Sequence, residues 1–323
     1  MTPETVLDIP DIADIHLAHA RIRERIRSTP VLADPDLDET LGCQVFCKCE
    51  NLQRTGAFKF RGASNAVARL GEAGVDGDVA THSSGNHGAA LALAARLEGR
   101  NAHVVMPSDS SPLKIEAVRR YGGEVHFCEP THQSRAEELE RLLEGGLIAV
   151  HPYDNADIIA GQGTAALELE QEVPTLEVLM TPIGGGGLIS GSAIATRAWG
   201  VSIFGVEPEG AADTVDSLER GAIIETYRPD TIADGLRAIV GVRNFEVIRR
   251  HVKRVLTVSD DDLREAMTLA WRSLRLLIEP SSATVLAAIR RHPEHFAGKK
   301  VGVIISGGNI HPADWARMTG ETP

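Results

Sequence analysis

One lysine sits where its amine could be made reactive. The stretch from Glu50 to Asn65 reads ENLQRTGAFKFRGASN, and Lys59 is its lysine. Phe58 and Phe60 flank it. Thr55 and Gly56 mark a turn or helix start, and residues 57–66 can continue as a helix. Burial between apolar walls disfavours an ammonium, and a neutral amine attacks carbonyls to form a Schiff base. On its own the segment fits a snorkelling lysine better, with Arg54 and Arg61 as further solvated charges. The chemical reading needs partners elsewhere in the chain.

Three loops supply candidates. His82-Ser83-Ser84-Gly85-Asn86-His87-Gly88 lies between a strand pattern and a helix start. Gly184-Gly185-Gly186-Gly187 precedes a helix opening at Leu188, and Ser306-Gly307-Gly308-Asn309 follows the strand VGVII. Four glycines at a helix N-terminus can wrap backbone N–H groups around an anion, which the helix dipole favours. A tight turn would need only one or two. The dinucleotide pattern G-x-G-x-x-G fails, since its third glycine would fall on Ile189 or Ser190, and a Walker loop would need a lysine that is absent. A monophosphate is left. A phosphate loop, an imine-forming lysine and a strand-end serine together suit pyridoxal phosphate.

The elements that must position these groups alternate. Strands are predicted at 44–49, 78–82, 102–106, 124–127, 147–150, 176–180, 202–206, 254–258 and 300–305. Helices are predicted at 11–27, 86–98, 112–121, 133–143, 161–172, 188–199, 260–276 and 281–291. In the first helix Ile12, Ile15, Ile22 and Ile26 form the apolar stripe, and Pro30 stops it. Alternation with short connections predicts an α/β fold: two domains, each a helix-flanked, mostly parallel twisted sheet. Residues 78–153 would be a smaller domain inserted into a larger one made of 1–77 and 154–323. Ligands in such sheets bind at strand carboxyl ends, where the three loops fall.

The 323 residues exceed what one core usually holds, and 43 % are hydrophobic. A net charge of −12 argues against nucleic acid or an anionic membrane as partner. No apolar run is long enough to span a bilayer, and the N-terminus lacks the order of a signal peptide, so a cytoplasmic location is expected. Cys43, Cys47, Cys49 and Cys128 lack zinc-knuckle spacing and are expected to be buried free thiols, with Cys47 and Cys49 facing the same way.

At this point the chain resembles a known family, the serine/threonine dehydratases and serine racemases, pyridoxal-phosphate enzymes of the tryptophan-synthase-β-like fold type II. The resemblance runs over nearly the whole chain, through ENLQRTGAFKFRGA, THSSGNHG, SRAEE, IAGQGT, PIGGGGLISG, VEPEGAAD, IADGLR, LLIEPSSA and IISGGN. It implies that Lys59 is the Schiff-base lysine and the base at the substrate α-carbon. Phe58 would pack on the cofactor ring and Asn86 would bond its oxygen. Gly184, Gly185, Gly186, Gly187 and Leu188 would hold the phosphate. Ser306 would face the pyridine nitrogen, with Glu279 nearby. Ser83, Ser84, Asn86 and His87 would hold the substrate carboxylate, mostly through backbone N–H groups, and Arg135 would lie near the substrate. Ser84 is also placed to act from the face opposite Lys59, as racemisation requires. Glu207, Ala211 and Asp213 match a divalent-cation site for Mg²⁺, Ca²⁺ or Mn²⁺. Lys114 and Tyr121 match positions near a nucleotide site in animal racemases, too few to imply ATP binding.

Two departures bear on substrate. Tyr153 replaces an asparagine of the animal racemases, and Ala238 replaces a serine. Beside it Arg237 is either a cation for a second carboxylate or a solvated loop residue. The implied activity is β-elimination on L-serine or L-threonine, giving a 2-oxo acid and ammonia. The alternatives are a serine racemase with dehydratase side activity and a 3-hydroxyaspartate dehydratase. A small amino acid is the implied substrate and a homodimer the implied assembly. The short tail after Asn309 implies no regulatory domain and no isoleucine feedback. From another class, a non-catalytic phosphate- or nucleotide-binding module would not need to keep Lys59, Ser84 and Ser306 together.

Overall fold

The computed structural model describes residues 7–83 and 85–321. Its strands are β1 (Val31–Leu32), β2 (Gln44–Cys49), β3 (Val79–His82), β4 (Ala102–Pro107), β5 (Glu124–Cys128), β6 (Ile148–Ala149), β7 (Val178–Pro182), β8 (Ser202–Pro208), β9 (Arg254–Val258) and β10 (Lys300–Ile305). The helices are α1 (Ile12–Ile22), α2 (Pro35–Leu41), α3 (Lys59–Glu72), α4 (Asn86–Leu97), α5 (Pro112–Arg120), α6 (His132–Glu144), α7 (Ala156–Glu172), α8 (Gly187–Thr196), α9 (Asp213–Arg220), α10 (Val242–His251), α11 (Asp260–Leu274), α12 (Pro280–Arg291) and α13 (Pro312–Thr319).

One sheet runs β1-β2-β10-β7-β8-β9, parallel except for β1, which pairs antiparallel with β2. The other runs β5-β4-β3-β6, parallel throughout and drawn wholly from residues 79–149. The α/β class with mostly parallel sheets is as expected. Strands covered on both faces need apolar residues at successive positions, and β10 shows it. Val303 and Ile305 face the core that α11 and α12 cover, while Ile304 faces the core under α7 and α8. The four cysteines are free and buried, with Cys47 and Cys49 in one core. No helix among the described residues is long and apolar enough to cross a membrane.

The first helix departs from expectation. It ends at Ile22, and its buried stripe is Ile15, Ala18 and Ile22, whereas Ile12 is exposed. Ile12 sits in the solvent-facing first turn, where Asp11 and Asp14 form a capping box. Short elements β1, α2, α9, α10 and α13 were not foreseen. Most are too brief to show a period.

Arg61 also departs from expectation. It is fully buried rather than solvated. Its guanidinium donates to both carboxylate oxygens of Glu50, at 2.7 and 2.8 Å, and to both of Glu168, at 2.7 Å each. Lys48 Nζ lies 2.9 Å from Glu168. This network ties α3 to α7 and to the end of β2, within the first turn of the helix that Lys59 opens. Removing one partner of a buried ion pair strands the other charge. Arg61→Ala is therefore expected to cost about 3–5 kcal/mol of stability, read as a lowered urea midpoint.

Glycines bring three helices together. A Cβ on Gly161 of α7 would meet the Gly62 Cα of α3 at 2.6 Å, and one on Gly191 of α8 would meet the Gly163 nitrogen of α7 at 2.5 Å. Backbones touch there, with no side chain between them.

Candidate active site

The three loops converge on one cavity of about 720 Å³, lined by Lys59 and Phe58, by the loop after β3, by Gly184 to Leu188 and by Glu279 and Ser306. Arg135 and Arg237 also reach it. Ser84 lies outside the described residues.

Lys59 opens α3. The turn before it uses positive φ at Thr55 (64°) and Gly56 (76°). A Cβ on Gly56 would strike Asn309 Oδ1 at 2.3 Å. The segment is then stitched to the loop after β10: Phe58 N–H donates to the Ser306 carbonyl at 2.9 Å, and Gly308 N–H to the Gly56 carbonyl at 3.0 Å. Lysine and serine are thus fixed to the same strip of backbone. Lys59 Nζ donates to the Pro152 carbonyl at 2.9 Å and lies 5.2 and 5.9 Å from the Phe58 and Tyr153 rings. Burial lowers its pKa to about 8, so it gives up its proton far more readily near neutrality than an ordinary lysine.

The loop after β3 spends Ser83 on itself. Its N–H bonds the Val105 carbonyl, and its Oγ accepts from Gly85 and Gly88 N–H at 3.1 and 3.0 Å. Only its hydroxyl proton remains for a ligand. The first-turn N–H groups of Asn86 and His87 have no helical acceptor and suit a carboxylate better. The Asn86 side chain donates to Glu279 Oε1 at 2.8 Å and accepts from Asn309 at 2.9 Å. His87 is buried, and desolvation depresses its pKa well below the usual range, so the imidazole is neutral.

The glycine loop ends at Gly186 (φ 89°), the residue capping α8. The Gly185 carbonyl accepts from Asn244 Nδ2 at 2.7 Å, so the Gly186 N–H of that trans peptide turns the opposite way. A Cβ on Gly185 would fall 2.2 Å from the Tyr153 ring. This cradle, left open by missing side chains at a helix N-terminus, fits the phosphate of pyridoxal phosphate.

Ser306 is buried at the far end. Its Oγ lies 2.9 Å from Ser282 Oγ, which also accepts from Gly307 N–H at 2.6 Å. Glu279 is buried with Oε2 unpartnered, and desolvation pushes its pKa up to about 7. Sequence reasoning missed Ser282, although it stands in the quoted EPSSA. Ser282→Ala is expected to cost about 1–3 kcal/mol by orphaning the Gly307 N–H. It should also displace the pH at which the bound cofactor's absorption changes, while Ser282→Thr restores both. Denaturation and a spectrophotometric pH titration check this.

Glu207, Ala211 and Asp213 come together away from the cavity, all fully buried. Glu207 accepts from Thr214 and Val215 N–H, and Asp213 from Val240 N–H at 2.8 Å, leaving Asp213 Oδ1 without a partner. Burial raises both pKa values, and Asp213 raises that of Glu207 further. A buried carboxylate oxygen left without a partner beside a second buried carboxylate fits a hard divalent cation.

Residues 22–307 match the model for "Pyridoxal-phosphate dependent enzyme". The chain belongs to this family. It is 46 % identical to "beta-hydroxyaspartate dehydratase" of Paracoccus denitrificans, covering 94 % of this chain and 97 % of that one. It is 42 % identical to the serine racemase of Dictyostelium discoideum, covering 96 % and 97 %. The structure of maize serine racemase superposes with a TM-score of 0.91 at 40 % identity, over 96 % of this chain and 97 % of that one. The chain is thus a pyridoxal-phosphate enzyme of the group that holds ammonia-lyases and racemases, as its motifs implied.

Proposed function

We propose that this enzyme is an ammonia-lyase that removes water from a β-hydroxy amino acid bearing a second carboxylate, with 3-hydroxyaspartate as the parent substrate. One observation carries the reading. Arg135, on the cavity wall, has its Nε buried without a hydrogen-bond partner. Two other cations of the cavity wall are engaged: Lys114 with Asp234, and Arg237 with the Thr231 carbonyl at 2.5 Å. A planar guanidinium left open suits a carboxylate. The Paracoccus relative supports the same reading.

Pyridoxal phosphate supplies an electron sink at the substrate nitrogen when it is bound. The glycine cradle would hold its phosphate, and Ser306 and Glu279 would meet its far end. The Asn86 and His87 N–H groups fix the α-carboxylate, and Arg135 takes the side-chain carboxylate. Lys59 then removes the α-proton, which its lowered pKa permits. The β-hydroxyl departs as water after gaining a proton. The released enamine hydrolyses to a 2-oxo acid and ammonia, so atoms balance without an oxidant.

The test is keto-acid and ammonia release from cofactor-loaded protein. L-threo-3-hydroxyaspartate, L-serine and L-threonine are offered side by side, with chiral analysis of what remains. Hydroxyaspartate leading supports the reading. Serine or threonine leading returns it to the general dehydratase. D-serine outpacing pyruvate moves it to the racemase.

Three further parts belong to the proposal. Residues 78–153 form a separate domain around the four-stranded sheet, and the enzyme is a homodimer, checked by sedimentation. Mg²⁺ or Ca²⁺ sits at Glu207, Ala211 and Asp213. Without a cation, carboxylates with raised folded pKa values stabilise the fold below the ordinary carboxylate range, and that contribution is lost as pH rises through the raised values. A cation reverses the loss. Excess Mg²⁺ or Ca²⁺ is thus expected to raise the melting temperature by about 5 °C at pH 8 and by less at pH 5. Asp213→Asn should abolish the difference.

A further inference from the structure

We propose that His103, Glu124 and His126 form a binding site for a divalent transition metal of the zinc class, separate from the catalytic cavity and from the Glu207–Asp213 pair. The three residues come from adjacent parallel strands. His103 of β4 pairs in register with Glu124 of β5, and His126 follows two residues later on the same face. This is the face that α6 covers, since Val105 and Cys128, in phase with them, pack with Leu139 and Leu142 of α6.

The donor geometry fits one ion. His103 Nδ1 lies 3.0 Å from His126 Nε2; Glu124 Oε2 is 3.5 Å from the first and Glu124 Oε1 is 3.5 Å from the second. A metal about 2.0–2.1 Å from each ligand holds neighbouring ligand atoms roughly 3.0–3.4 Å apart. The two imidazole nitrogens already stand at that spacing, and Glu124 reaches one with each of its oxygens, so a small turn of the carboxylate closes the group on an ion. Both imidazoles are 17 % exposed and Glu124 is 64 % exposed, so water can complete the coordination sphere. Among the described residues this is the one group of three His, Cys, Asp or Glu whose ligand atoms all lie within 4.8 Å of each other. Asp78 lies in the field of His103, and Glu138 of α6 in that of His126, which adds negative potential around the site; Glu138 is itself held by Arg141.

The donor types set the class of metal. Two imidazoles and one carboxylate suit Zn²⁺, Co²⁺ or Ni²⁺, whereas Mg²⁺ and Ca²⁺ take all-oxygen sites. The four cysteines are buried and do not compete. The position also has a consequence for catalysis. Helix α6 lies over these strands and carries Arg135 into the cavity. An ion there would pin the strand pair beneath the helix that supplies the open guanidinium.

The experiment uses the full, cofactor-loaded chain with Mg²⁺ in excess to fill the all-oxygen site. Zn²⁺ uptake is followed by calorimetry, and Co²⁺ uptake by the visible bands of histidine-ligated cobalt. The expected result is one equivalent per chain in the wild type and in Asp213→Asn, lost in His103→Gln and in His126→Gln. Glu124→Gln, which leaves the imidazole pair in place, provides a third variant should a histidine change disturb folding; it too should lose the equivalent. Melting curves without metal confirm that each variant is folded. No uptake by the wild type overturns the proposal. So does unchanged uptake in the three variants, or an equivalent lost only in Asp213→Asn.

Discussion

Lys59→Ala is expected to lower turnover by about 10⁴–10⁶-fold, the scale seen when a group that both bonds and deprotonates the reacting species is removed. It should also leave the protein without the absorption of lysine-linked cofactor. A binding module would keep its ligand after this change, so absorption and rate together separate the two classes. The same residue makes a second, opposite prediction for cofactor-free protein. Its pKa falls from 10.5 to about 8 on folding, with burial as the cause. Between those values the unfolded chain binds more protons, so the lysine's cost to stability is full below about pH 8 and fades as pH rises towards 10.5. Lys59→Met should therefore be more stable than wild-type apo-protein at pH 7, and the gap should close near pH 10. Urea denaturation at the two pH values measures it. A variant at once dead and more stable marks a residue kept for chemistry.

Arg135→Leu is expected to reduce kcat/KM for 3-hydroxyaspartate by about 10²–10³-fold, the size of a lost charged hydrogen-bonded pair. Turnover of L-serine, which has no second carboxylate, should change little. Arg135→Lys should recover only part of the loss, because a point charge cannot bond both oxygens in the plane of a fork. The measurement is a pair of kcat/KM values for each variant. Equal losses on both substrates would remove Arg135 from specificity and return the enzyme to the general dehydratase reading.

How much the sequence disclosed follows from how local each signal is. The four glycines before α8 declare a cradle in four letters, and a strand followed by Ser306-Gly-Gly declares a strand-end loop. The alternation of β3 to β10 with long helices fixed the fold class, because two-sided burial writes apolar runs. Arg61 was misread because its partners Glu50 and Glu168 lie 11 and 107 residues away, and no local pattern tells a buried arginine from a solvated one. Ser282 was passed over for a similar reason. Its contacts with Ser306 and Gly307 depend on how α12 meets β10. The bonds of Ser83 Oγ to Gly85 and Gly88 N–H depend on how the loop folds back on itself, which the letters do not show. Arg237 and Arg135 looked alike as letters. Only the Thr231 carbonyl, which engages one and not the other, tells them apart.

The glycine contacts between α3, α7 and α8 make the protein a caliper. One jaw is the start of α3, with Lys59. The other is the start of α8, with the cradle. The gap is set by the thickness of α7 against bare backbone, so it has no soft spacer to take up error. The spacing between amine and cradle is therefore held at Gly62, Gly161, Gly163 and Gly191, none of which lines the cavity.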